Sequence, residues 1–222
     1  MRTPNAAPSL SAALSIMSPM SQSAPPRLLI VRDTLLPGHE ATYEAVERDA
    51  AGFCASLNCP NVHLAIESLS GPKEVWWLTP FIDEADKQRI IDAYAKNAPL
   101  TAALAEITKR REGIVSTSVE VFTTHRADVS RGASWEVSRA RFLIVSVTTT
   151  ASALPGSVYE AADGTRYVVR FAGTREAADA LARKAGPGTT VFAIRPYWGM
   201  PAQEWIAADR EFWKINPTSR PK

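Results

Sequence analysis

Arg27-Leu28-Leu29-Ile30-Val31, followed by Leu36-Pro37-Gly38 and Tyr43-Glu44-Ala45, returns in the same order as Arg141-Phe142-Leu143-Ile144-Val145, Leu154-Pro155-Gly156 and Tyr159-Glu160-Ala161. Each copy continues through an apolar strand and a helix opened by an acidic turn. Each closes on a strand holding Val-Phe, at Val121-Phe122 and Val191-Phe192. Ordered self-similarity of this kind predicts two related modules in one chain, each needing the other to cover its open sheet.

Outward from that repeat, residues 27–35 of the first copy read as a buried strand, and Pro37-Gly38 turns the chain into a helix. Tyr43, Val46, Phe53 and Leu57 fall along one side of that helix, with Glu44, Glu47, Arg48 and Asp49 expected on the other. Asn58, Pro60 and Asn61 stop it. Residues 62–69 and 74–79 form a hairpin through Ser70-Gly71-Pro72. Asp83 and Glu84 suit a first helical turn, followed by an apolar stripe of Ile90, Ile91 and Tyr94. Pro99 opens a separate helix over 100–111, which Gly113 ends before a fourth strand at 115–125. The order is β-α-β-β-α-β, the ferredoxin-like one.

The second copy is shorter. Its first strand covers 141–149, but the stretch up to Arg166 leaves no room for the long first helix. Residues 158–161 and 166–171 instead flank Asp163-Gly164, a hairpin signal. A helix over 174–185, capped by the Thr174 hydroxyl and ended by Gly186-Pro187-Gly188, precedes the last strand at 189–197. A further helix carries Trp205, Ile206, Phe212 and Trp213 on one side and is expected to cover the sheet surface that the missing helix leaves bare, the alternative being that it docks on a partner subunit. The expected division is a disordered Ser/Pro/Ala-rich leader at 1–26, a first module at 27–127 and a linker at 128–139. A shortened second module at 140–200 and the covering helix at 201–214 follow.

Of the 222 residues, 45% are hydrophobic, enough for a core; 25 Lys and Arg against 23 Asp and Glu, interspersed, leave no footprint for nucleic acid. Cys54 and Cys59 have no second Cys or His pair at ligand spacing, so they are read as free thiols, which fits a reducing, cytoplasmic setting. No segment approaches the roughly 20 apolar residues of a membrane span.

With strands and turns placed, residues 29–125 resemble the dimeric α/β-barrel superfamily. The resemblance rests on Val31-Arg32-Asp33-Thr34-Leu35-Leu36-Pro37-Gly38-His39-Glu40, the Gly71-Pro72 turn and Val75-Trp76-Trp77-Leu78-Thr79-Pro80-Phe81. It looks most like uncharacterised bacterial members with two modules per chain, akin to antibiotic-biosynthesis monooxygenases and NIPSNAP-type proteins. It implies an α+β fold in which two ferredoxin-like modules, the second without its first helix, face their antiparallel sheets to close a barrel, with helices outside. A ligand cavity would lie between sheet and helices or inside the barrel, and two chains could associate further as a homodimer. The superfamily hosts oxygenases, haem enzymes, isomerases and proteins without known activity, so the scaffold does not choose among them.

His63 and His125 are the strand histidines able to act as general bases near neutral pH, each with a plainer reading as a strand-end residue bonded to a loop. Glu67 shares a face with His63 but stands about 13 Å along the strand, beyond direct contact. Trp76 and Trp77, being adjacent, point to opposite faces: one into the core under the helices, one into the barrel, where it could stack on a flat ligand. Arg32 offers a cation to an acidic or phenolic ligand or a partner to a rim carboxylate. Tyr43 offers a pocket hydroxyl or core packing. No phosphate loop, nucleophile elbow or metal-spaced cluster appears, so no cofactor and no metal are expected. The functional expectation is a barrel protein that binds a small, largely apolar or aromatic molecule. The alternative is a cofactor-independent monooxygenase acting on an electron-rich aromatic, and a barrel filled by its own side chains would favour a structural role.

Overall fold

Arg27–Leu35 forms β1, and its inward residues Leu28 and Ile30 and its outward residues Asp33 and Leu35 are all buried, so both faces of this strand are covered. The computed structural model describes residues 23–132, 135–150 and 155–213. The other strands are β2 (Leu64–Ser68), β3 (Glu74–Phe81), β4 (Val115–His125), β5 (Phe142–Thr148), β6 (Ser157–Ala161), β7 (Arg166–Ala172) and β8 (Thr189–Ile194). All eight join in a closed antiparallel barrel of order β1-β3-β2-β8-β5-β7-β6-β4. The two seams between halves are short: Ile66 to Ser68 of β2 against β8, and Thr123 to His125 of β4 against β6. The architecture is that of a dimeric α/β barrel, closed within one chain.

The inward residues pack together through the middle of the barrel, which favours a structural role for that part and leaves only the barrel ends to a ligand. Leu28, Ile30, Ile66, Trp76, Leu78, Leu143, Val145, Tyr159, Tyr167 and Phe192 belong to one buried cluster. Outside, α1 (Glu40–Leu57) and α3 (Ala98–Arg111) cover the first half through Tyr43, Val46 and Ile107, which pack with Ala65, Val75 and Trp77 of the sheet. Between them in sequence lies α2 (Glu84–Lys96), capped by Asp83, whose side chain accepts from the Asp86 amide; Ile90 is buried and Ile91 exposed. On the second half α4 (Arg175–Ala185), capped by the Thr174 hydroxyl, lays Ala178 against Ile144 and Val191. The Pro-Gly pair of the repeat is needed for a different reason in each copy. Gly38 has φ 84° with open space around it, whereas a Cβ on Gly156 would lie 2.9 Å from a Val168 methyl.

Several expectations change. The final helix, α5 (Gln203–Ala208), is shorter than the expected 201–214, and Lys214 lies outside the described residues. Trp205 and Trp213 join the inward cluster together with Trp135 and Val137 of the linker, so this segment stoppers one barrel end instead of covering an outer sheet face. The Trp213 indole donates to Ser138 O at 2.8 Å, and Arg141 pairs with Asp209. Residues 1–22 of the expected leader lie outside the described residues, but its last two are anchored: Pro26 O accepts from the His125 amide and Pro25 O from the Tyr159 hydroxyl. Glu47, expected on the solvent side of α1, is fully buried because α3 crosses that side and presents Arg111 to it.

Cys54 and Cys59, read as free thiols, are a disulfide. Asn58 adopts the left-handed conformation (φ 59°) that ends α1, and the Cys59 amide folds back to Cys54 O, leaving the two Cα atoms 4.7 Å apart. The support that free thiols lent to a reducing compartment therefore falls. Among the described residues no helix is long and apolar enough to cross a membrane.

Candidate functional site

The candidate residues separate by barrel face, and the alternation of β1 decides the separation. Two positions beyond Ile30, Arg32 points inward at the end opposite the tryptophan stopper, paired in register with Trp76 of β3 and Val119 of β4. Its guanidinium lies over the Trp76 ring at 4.4 Å. One terminal nitrogen reaches the Glu74 carboxylate at 3.3 and 3.5 Å, and that carboxylate also accepts from the Trp76 indole at 2.7 Å. Trp76 packs in turn on Phe192 and Tyr167, with centroids 4.8 and 6.1 Å away. The Arg32 Nε–H is buried and has no hydrogen-bond partner. At this end, called the open end below, β4 runs past β6, and Val119, facing inward beside Arg32, is 50% exposed.

One residue along, Asp33 points outward beneath α1 into a second polar cluster. Its carboxylate accepts from the Tyr43 hydroxyl at 2.8 Å and the Ser118 hydroxyl at 2.6 Å, while the Trp77 indole donates to Tyr43 Oη at 3.2 Å. Arg111 donates twice to Glu47, both bonds 2.6 Å long. Burial, then the charges of Glu47 and Asp33, raise the Tyr43 pKa far above its ordinary value, so the phenol stays protonated and donates. Burial pushes the Glu47 carboxyl up against the opposing pull of Arg111. His63 borders this cluster, edge-on to Trp77 at 5.6 Å, with its Nδ1 3.5 Å from the Asn61 amide nitrogen. Burial and the Arg111 charge lower its pKa to about 4, so it is neutral at pH 7 and a poor base.

The remaining candidates stand apart. His125 lies at the stoppered end, packed on Tyr159, with Nε2 3.0 Å from the Ser130 hydroxyl. That hydroxyl also donates to Arg126 O and accepts from the Val158 amide, which leaves His125 Nε2 as the donor; burial lowers its pKa too. Glu67 faces outward between Lys73, at 2.6 Å, and Arg195, and its charge is balanced there. Tyr43, Trp77 and His63 are thus brought together, as are Arg32 and Trp76, whereas His125 and Glu67 join neither group. Sequence reading missed Asp33, Glu47, Glu74 and Arg111. Of these Asp33 and Glu74 had a signal, an acid inside a buried strand and one two positions before a predicted core tryptophan.

A shallow cleft of ≈ 140 Å³ on the outer surface, lined among others by Arg27, Lys87 and Phe122, contains none of the candidate residues. Among the described residues no three His, Cys, Asp or Glu side chains group so as to hold a metal ion.

No protein-family model and no curated protein matches this chain. Solved structures of similar shape include the following three. A protein provisionally assigned as a monooxygenase from Fusobacterium nucleatum aligns at TM-score 0.46 and 8% identity, over 78% of this chain and 92% of its own. One with the same provisional assignment from Lactobacillus acidophilus aligns at 0.41 and 11%, over 86% and 90%. An uncharacterised NIPSNAP domain protein from Burkholderia xenovorans aligns at 0.37 and 13%, over 46% of this chain and 95% of its own. At these values no residue role passes from those proteins to this one.

Proposed function

We propose that this barrel binds a small planar aromatic anion, a carboxylate or phenolate, at its open end and performs no chemistry on it. The observation that carries the reading is the Arg32 guanidinium, laid on Trp76 with one arm on Glu74 and its Nε–H unpartnered. A buried donor without an acceptor costs about 1–3 kcal/mol, which a ligand oxygen would recover. The ligand ring would rest on Val119, the half-exposed apolar residue directly across from Arg32. The expected ligand-binding residues Arg32 and Trp76 therefore hold the ligand in this proposal, and Tyr43, Trp77 and Glu67 support the wall. An oxygenase would need a base to take the phenolic proton. His63 is desolvated with a pKa near 4, and His125 is engaged by Ser130 at the other end.

The test is calorimetry on the full chain with benzoate and its neutral analogue benzyl alcohol as probes. Benzoate is expected to bind at least about tenfold more tightly than the alcohol. Arg32→Met is expected to abolish that preference while leaving the melting temperature within a few degrees. Equal affinity for both probes, or a preference that survives Arg32→Met, overturns the site. Oxygen uptake on a quinol that disappears in His63→Ala or His125→Ala overturns the absence of chemistry.

A further inference from the structure

Strand β4 has eleven residues, yet β6 pairs with only Thr123, Thr124 and His125 of them. Its first seven residues, Val115 to Val121, have β1 on one side and, among the described residues, no strand on the other. The direction of the free groups follows from alternation. The His125 amide donates to Pro26 O on the β1 side and the Arg126 amide to Val158 O on the β6 side. The amides of Val119 and Val121 therefore turn to β1, and those of Ser116, Ser118 and Glu120 turn to the bare side. Strand edges are ordinarily blunted by Lys, Pro or a very short length. The stretch Ser116-Thr117-Ser118-Val119-Glu120-Val121 has no Lys or Pro; it is protected only by the single charge of Glu120 and by the register shift against β1 at its start, opposite Leu35, and it carries Val119 half exposed.

From this edge we infer that the chain associates with a second copy of itself by antiparallel pairing of β4 with β4 of its partner, about a two-fold axis at Ser118. That register places Ser118 beside its own copy, Thr117 beside Val119, and Ser116 beside Glu120, and it ends where the β4 register shifts at Val115. Centring the axis on Glu120 would oppose two carboxylates, which disfavours it. Centring it further toward Phe122 would drive the partner strand into the turn at Asp163-Gly164, since Ala161 already lies opposite Thr123. In the Ser118 register the only charged residue of the edge meets a hydroxyl on each side of the axis. Both faces of the stretch are solvent-exposed, so the sheet continues from one barrel into the next without displacing a helix. The partner's Thr117 would then border Val119 beside Arg32, making the second copy a wall of the open end. The pairing itself does not depend on any ligand.

Sedimentation equilibrium of the full chain without added ligand tests this. The wild type is expected to be a dimer at micromolar concentration. Glu120→Pro removes a bare-side amide and leaves the β1 ladder intact, and is expected to give a monomer with unchanged circular dichroism. Ser116→Glu sets carboxylates against Glu120 on both sides of the axis and is expected to weaken the dimer about tenfold or more; S116E/E120K restores opposite charges and is expected to recover it. A monomeric wild type overturns the inference. So does a dimer indifferent to Glu120→Pro, or a full chain that becomes dimeric only when residues 1–22 are deleted, which would assign the edge to that segment.

Discussion

Removing Arg111 should reveal how the layer between sheet and helices is held, and pH should set the size of the effect. Glu47 is fully buried and its carboxylate accepts two hydrogen bonds from Arg111, at 2.6 Å each. Arg111→Met keeps most of the apolar stem but leaves a buried carboxylate without its cation. Breaking one partner of such a pair costs about 3–5 kcal/mol, and because the Arg111 side chain is 31% exposed the lower end, about 3 kcal/mol, applies. At this chain length that is a fall of about 6–12 °C in melting temperature. The Glu47 pKa is already raised by burial in the folded state, and Arg111 is the main influence holding it down. A carboxyl raised above its unfolded value contributes stability below that value and loses it as pH rises through the folded one. With Arg111 gone the folded value climbs further. The deficit of the variant should therefore be small near pH 4.5 and grow toward pH 8. Urea unfolding of both proteins across that range measures it, and E47Q/R111M should regain most of the loss at pH 8. An equal deficit at pH 5 and pH 8 would refute the claim that the buried charge of Glu47 is what Arg111 supports.

Two further outcomes check the other departures from sequence expectation. Trp213→Ala should cost about 3–5 kcal/mol in urea unfolding, because the indole fills the stopper and donates to Ser138; a loss below about 1 kcal/mol would mean that this barrel end is not sealed by it. Cys54→Ser/Cys59→Ser should lower stability by about 2 kcal/mol, the loop-closure term for so short a ring, and unfolded wild-type chain should resist thiol labelling until a reductant is added. Immediate labelling without reductant would return both cysteines to free thiols.

Element order was legible wherever one short segment sufficed to decide it. Pro37-Gly38, Ser70-Gly71-Pro72 and Asp163-Gly164 mark turns by local backbone chemistry, and the Thr174 cap follows from a hydroxyl placed before a helical run. The opposed faces of Trp76 and Trp77 followed from strand geometry alone, and the structure puts Trp76 inside and Trp77 under α1. What stayed hidden depends on partners distant in sequence. Glu47 reads as solvent-facing until α3, 64 residues on, brings Arg111 to it. The disulfide needs the left-handed Asn58, a conformation that the residue permits without requiring. Trp205 and Trp213 announce an apolar stripe, but whether it meets a sheet face or a barrel end is set by the path of the linker from Trp135 to Arg139. The histidines looked like bases because an isolated imidazole titrates near neutrality. Burial, which no single residue reveals, lowers both.

The unequal length of the strands at the seams links the open end to the bare edge. In a barrel of two equivalent halves the strand crossing each seam would be matched alike, yet β4 has eleven residues and its counterpart β8 has six. The second half also gives β6 only five residues against that long strand. Where β6 stops, β4 continues beside β1 alone, and one overhang then has two consequences. Its inward residues, Val119 among them, are left as a lip beside Arg32, while its backbone turns unpaired groups sideways. At the opposite end the linker and the C-terminal segment supply Trp135, Trp205 and Trp213 to the buried cluster. The second half has no counterpart of α1, and its last strand is five residues shorter than β4, so the overhang belongs to β4 alone. A variant that lengthened β6 to match β4 would close the lip and the edge together, so ligand binding and self-association should be lost in the same protein if both arise from the overhang.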